Sequence, residues 1–199
     1  MTVFVLATHN AHKVEELRRI LGERLEHHQL VGYDGPEPVE DGDSFEANAL
    51  IKARAAAVFT GLPAIADDSG ICVDALGGAP GIHSARYAGT RDDRDNYRLL
   101  LRNMQDQLDR RAQFVCAAAL VDPAALDTGS AFEHTERGVW PGSVLEAPAG
   151  AGGFGYDPVF RPDGLDIASA ELTADEKNAQ SHRARAFGLL VAALRARYG

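Results

Sequence analysis

"AIADDSGICVDALGGAPG", residues 64–81, sets two adjacent aspartates after a short apolar run and follows them with Ser-Gly and a glycine-proline cluster. The run leading into it, "LPAIA", is apolar throughout, which is the pattern of a short strand covered on both faces. In an extended chain Asp67 and Asp68 point to opposite faces, so two carboxylates that would repel are separated by the pleat. A buried strand ends rigidly and opens toward the sheet edge, where ligand sites of α/β proteins lie. Asp68 is assigned to the cleft, where a carboxylate can hold Mg²⁺ or take a proton from an attacking water; Asp67 is given a structural part. Taken alone, Asp-Asp-Ser-Gly also fits a functionally silent turn.

Outward from that strand, helices and strands interleave. "TVFVLA" reads as a strand leading through "THN" into a helix whose apolar residues Val14, Leu17, Ile20, Leu21 and Leu25 recur at helical spacing, with Asn10 as cap. "DSFEANALIKARAAAVFTG" is a second helix, opened by an Asp43/Glu46 capping box and ended by Gly61 and Pro63. Residues 91–108 read as a third, with Leu99, Leu100, Met104 and Leu108 on its apolar side. "AQFVCAAALV" is a buried central strand, "SAFEHTERGVW" a strand with one wet face and "YDPVF" a brief strand. The tail from Ser181 is a terminal helix with Phe187, Leu190, Val191 and Leu194 inward. The absence of a strict alternation predicts a mixed sheet flanked by helices, an α/β fold.

At 199 residues the chain is sized for one domain, residues 1–199, or two lobes sharing a core. A net charge of −9 argues against a general nucleic-acid binder, which needs a basic footprint. No run reaches the roughly 20 apolar residues of a membrane span. The N-terminus lacks a signal-peptide pattern, and Cys72 and Cys116 sit in apolar surroundings, so the expectation is a cytoplasmic protein with free thiols.

Three further stretches carry polar chemistry. Residues 7–13, "ATHNAHK", bring a strand into a helix N-terminus with Lys13 one turn in, a setting for an anion and equally an ordinary capped junction. Residues 150–158, "GAGGFGYDP", satisfy G-x-G-x-x-G, but Pro158 stands where a helix would start, so a dinucleotide fold is rejected. A glycine loop beside Phe154 and Tyr156 instead offers a ring to stack on a flat ligand, or simply joins two strands. In "EKNAQSHR", Lys177 lies on one short helix and Ser181, His182 and Arg183 begin the next. These groups suit a phosphate or a base edge, or a solvated face. Walker, zinc-protease, paired C-x-x-C and G-x-S-x-G patterns are all missing.

Together, "LATHNAHKVEEL", "EDGDSFEANALIKA", "GLPAIADDSGICVDALGGAPGIHSARYAG", "PAGAGGFGYDPVF" and "AELTADEKNAQSHRARA" resemble the inosine triphosphate pyrophosphatase family over nearly the whole chain. The resemblance implies hydrolysis of deaminated purine triphosphates (ITP, dITP, XTP) to monophosphate and pyrophosphate. It also implies a long mixed sheet in two lobes with the active-site cleft between them, a Mg²⁺ requirement and a homodimer. Position by position, Thr8, His9, Asn10, Ala11, His12 and Lys13 match the triphosphate cradle. Asp68 matches the general base and metal acid, Glu40 the second metal acid, Lys52 a phosphate lysine, and Ser69 a substrate neighbour. Phe154, Gly155, Tyr156, Asp157, Lys177, His182 and Arg183 match the base-recognition residues. Two departures stand out: His9 occupies a position where the family commonly has glycine, and Val39 precedes Glu40 where many relatives carry a second acid.

Overall fold

The computed structural model describes residues 1–25, 27–123 and 132–199, so Ser130 and Ala131 of the strand expected over "SAFEHTERGVW" lie outside the described residues. The strands are β1 (Val3–Leu6), β2 (Gln29–Gly32), β3 (Ala64–Val73), β4 (Arg111–Asp122), β5 (Phe132–Val144) and β6 (Phe160–Pro162). The α-helices are α1 (Ala11–Leu21), α2 (Phe45–Thr60), α3 (Asp93–Asn103), α4 (Ala174–Gln180) and α5 (His182–Tyr198). One six-stranded sheet runs in the order β2-β1-β3-β4-β5-β6. β1 is parallel to both β2 and β3, whereas β5 and β6 are antiparallel, so the sheet is mixed as the element pattern predicts.

The largest difference from expectation is β3. The short apolar strand continues through both aspartates to Val73, and all but two of its ten residues are buried. Asp67 and Asp68 are therefore mid-strand residues and not a turn. The capping residue of α2 is Ser44, whose side chain accepts the N–H of Ala47, one place later than the Asp43 box. α3 stops at Asn103, and Leu108 lies beyond it, fully exposed. "YDPVF" is mostly a 3₁₀ turn over Asp157–Val159 and only Phe160 enters a strand, since Pro158 has no N–H to give to a ladder. The strand β2, largely exposed at the sheet edge, had no period strong enough to announce it.

The chain divides into two compact units. Unit 1 comprises residues 1–68, 116–138 and 183–199, and unit 2 residues 69–115 and 139–182, the divisions falling within β3, β4 and β5 and after the first residue of α5. Unit 1 buries Phe4 and Leu6 of β1, Leu17, Ile20 and Leu21 of α1, and Phe187, Leu190, Val191 and Leu194 of α5 in one cluster. The inward face expected for the terminal helix is thus the observed one. In unit 2, Ile71, Leu100, Met104, Phe114, Trp140, Tyr156 and Phe160 form the core. Gly70 has a packing reason to be glycine: a Cβ there would collide with the Gly81 carbonyl and the Ser84 hydroxyl. Cys116 is buried and Cys72 half-buried, and both are free thiols.

Candidate active site

The strand order 2-1-3 makes β1 a switch point: the connection from β1 leaves to one side and β3 lies on the other. Loops at the carboxyl ends of such strands surround the ligand crevice of α/β sheets. In unit 1 that place holds Thr8–Asn10, after β1, and the aspartates of β3. The loop is more self-contained than a bare helix N-terminus. Asn10 Oδ1 accepts the N–H groups of His12 (3.0 Å) and Lys13 (3.2 Å), and Thr8 Oγ1 accepts that of Asn10 at 3.2 Å. Three of the amides at this junction are therefore already used, and the site's positive charge comes from side chains. His9 carries its imidazole away to the loop after β2, with Nδ1 3.5 Å from Glu37 and the ring 5.4 Å from that of Tyr33.

The two aspartates do face opposite ways, and each finds different cations. Asp67 accepts from Lys13 Nζ at 2.9 Å and from Arg183 Nε at 3.3 Å, and Arg183 Nη1 donates to Glu16 at 2.9 Å. The Asp67 side chain is fully buried and that of Arg183 is 4% exposed. Burial would raise the Asp67 pKa, but Lys13, Arg183 and Lys52 outweigh it and hold the carboxyl well below the usual range. Buried Cys116 lies beside this carboxylate, its Sγ 4.0 Å away, and burial pushes the thiol far up, so it stays protonated. Asp68 instead meets α2: Lys52 Nζ donates to its Oδ1 at 2.9 Å and Asn48 Nδ2 to its Oδ2 at 3.4 Å. Lys52 also reaches Glu40 at 3.3 Å, so one ammonium bridges two carboxylates. Burial raises the Asp68 pKa, and the lowering pull of Lys52 and Lys13 does not cancel it. Burial opposes the charge on Lys52, yet Asp68, Asp67 and Glu40 together raise its pKa.

Glu40 and Asp68 offer hard oxygen donors around one cation position, which suits Mg²⁺. That ion keeps several waters and completes its shell with substrate phosphates. Among the described residues no cluster of three or more His, Cys, Asp or Glu side chains is placed to hold an ion.

Unit 2 gathers the remaining predicted residues. Ser69 follows Asp68 on β3 and is half-buried. Phe154 is the half-buried aromatic of the glycine loop, with the Lys177 ammonium over its ring at 4.8 Å. Tyr156 belongs to the core, its hydroxyl donating to the Ser84 carbonyl at 2.8 Å, which leaves Phe154 as the ring able to stack on a ligand. Asp157 and Lys177 are both buried and pair at 2.6 Å. Gly155 N–H donates to Asp93 at 2.7 Å. His182, also buried, stacks on Phe114 at 4.7 Å. Asn48, Glu16, Ser84, Asp93 and Ser169 join these networks without having been singled out from the sequence. Helical spacing marks two of them: Asn48 stands four residues before Lys52 on α2, and Glu16 three after Lys13 on α1. Nothing local marks Ser169.

A mixed α/β sheet with carboxylates and lysines at a strand switch point defines a class of phosphate-handling enzymes. Within it, residues 4–193 match the model of the Ham1 family, and the chain belongs to that family. A dITP/XTP pyrophosphatase of Leifsonia xyli is 55% identical over 199 residues, covering 98% of this chain and 97% of the relative. One from Streptomyces coelicolor is 52% identical, covering 98% of each. Among solved structures, a HAM1 protein from Coxiella burnetii superposes with a TM-score of 0.86 at 38% identity, over 98% of this chain and 100% of that one. The Staphylococcus aureus Ham1 protein gives 0.85 at 36%, over 98% of each.

Proposed function

We propose that the chain is a Mg²⁺-dependent pyrophosphatase that hydrolyses deaminated purine nucleoside triphosphates (ITP, dITP and XTP) to the monophosphate and pyrophosphate. The observation that carries this reading is the Glu40–Lys52–Asp68 arrangement on a chain half-identical to dITP/XTP pyrophosphatases along its whole length. Mg²⁺, held by Asp68 and Glu40, would supply neutralisation of phosphate charge. Asp68 accepts a proton from water, the resulting hydroxide attacks the α-phosphorus, and the Pα–O bond to pyrophosphate breaks. Lys13 and Lys52 balance the charge of the phosphate oxygens, while Asp67 holds Lys13 in place. Thr8 and Asn10 shape the loop that delivers Lys13.

On the purine side, Phe154 stacks on the base, and Gly155, Asp157 and Lys177 beside it set its polar surroundings, while His182 stacks on Phe114 and Arg183 pairs with Asp67 and Glu16. A site that donates to the 6-oxygen of hypoxanthine or xanthine leaves a donor facing the 6-amino group of adenine, a mismatch worth roughly 10⁴ in discrimination. Pyrophosphate release from ITP, XTP, dUTP, ATP and GTP, with and without Mg²⁺, tests the proposal. Pyrophosphate from ITP and XTP only with the metal is the expected result. Preferred turnover of dUTP, or tight ITP binding without turnover, would overturn it. A homodimer, implied by the family resemblance, and a cytoplasmic location, expected from the two thiols and the N-terminal pattern, are part of the same proposal; no helix among the described residues is long and apolar enough to cross a membrane.

A further inference from the structure

We propose that Ser169 is a positioning residue for the purine, acting through Asp157 to fix the loop that presents the Phe154 ring. The inference rests on the reading that Phe154 meets the base. Asp157 is buried, and its two oxygens take three donors. Oδ2 accepts Lys177 Nζ at 2.6 Å and the Phe154 N–H at 2.9 Å; Oδ1 accepts the Ser169 hydroxyl at 2.9 Å. A carboxylate turns freely about its last bond unless both oxygens are held. The serine on the far oxygen fixes that rotation, so the near oxygen points where the loop amide and the lysine converge.

The same carboxylate thereby sets two things at once, the backbone at Phe154 and the ammonium over its ring. A base stacking on Phe154 uses the face opposite that ammonium. Gly153 is the residue that allows the arrangement: it sits at φ +68°, and a Cβ there would collide with the Asp157 carboxylate. Ser169 comes from the 3₁₀ turn Ser169–Glu171, tied down by Glu171 accepting the Ala168 N–H at 2.7 Å, and by the Gly152 N–H on the Ala170 carbonyl at 2.9 Å. At 1% exposure its hydroxyl touches no substrate and acts only through Asp157.

The test compares Ser169→Ala with Gly153→Ala, which disturbs the same carboxylate from the exposed side, and with Phe154→Ala. For each, KM and kcat with ITP, calorimetric binding of inosine monophosphate and inhibition by pyrophosphate are measured on folded protein. Ser169→Ala and Gly153→Ala are expected to raise KM and weaken the monophosphate roughly tenfold, the worth of one buried hydrogen bond to a charged group. kcat and pyrophosphate inhibition stay as in the parent. Parallel loss of monophosphate and pyrophosphate binding, or no change in either, overturns the inference. If Phe154→Ala alone weakens the monophosphate, the positioning claim fails and the purine reading stands. If Phe154→Ala has no effect on it, the purine reading itself fails.

Discussion

At the residue scale the aspartate pair divides its labour by strand geometry. The pleat sends Asp67 toward Lys13 and Arg183 and Asp68 toward Lys52 and Asn48, so each carboxylate is balanced by a different set of cations. Their pKa values move apart as a result, Asp67 down and Asp68 up. In carbon-detected NMR of the metal-free protein, Asp68 should titrate above the ordinary carboxylate range and Asp67 should stay ionised below it; coincident titrations would contradict this. Asp68→Asn should abolish turnover while keeping the fold, as followed by pyrophosphate release and circular dichroism, and near-normal ITP hydrolysis by this variant would sink the proposed role. Arg183 has a structural consequence as well. Removing it in Arg183→Ala leaves Glu16 and Asp67 as buried carboxylates short of a partner, a loss of about 3–5 kcal/mol read by urea unfolding.

At the scale of elements, α1 and α2 were readable because capping and periodicity are local. Asn10 caps α1 as its sequence says, and Ser44 caps α2. Ser44→Ala should cost about 1 kcal/mol in thermal or denaturant unfolding, since the Ala47 N–H loses its acceptor. The C-terminal end of α5 is tied by longer-range contacts. Asp122 at the end of β4 accepts from the Tyr198 hydroxyl and Arg197 Nη2, each at 2.7 Å. Burial, then this hydrogen bond to a carboxylate, pushes the Tyr198 pKa up to about 12. A raised tyrosine pKa means the neutral form is favoured by folding. That stabilisation is complete below the unfolded value of about 10 and is lost as pH rises toward 12. Absorbance titration of tyrosinate should show a late-ionising group that moves to lower pH in Asp122→Asn, while Tyr33 and Tyr156, also raised by burial, stay in place.

For the whole molecule, acid should protonate Asp68 before it removes structure. Asp67, depressed in the fold, contributes stability that is full above about pH 4 and fades only as pH falls below that toward its folded value. Asp68, raised, becomes protonated earlier on the same descent. Far-UV circular dichroism should therefore stay native through the pH range in which Asp68 of the metal-free protein takes up its proton; unfolding within that range would contradict it.

What the sequence determined by itself is what short-range physics encodes. It contains the α/β class, the cap of α1, the inward face of α5, the opposite orientation of the two aspartates and the spacing that places Lys13 and Lys52 on their helices. Tertiary structure alone decided that β3 continues through both aspartates, that Tyr156 belongs to a core while Phe154 does not, and that Arg183 is tied to Glu16 and Asp67. It also decided that Ser169 and Lys177 share Asp157. These depend on partners up to 167 residues apart. A hydrogen bond or ion pair between such residues leaves no period in the chain, because the fold brings them together and their own propensities do not.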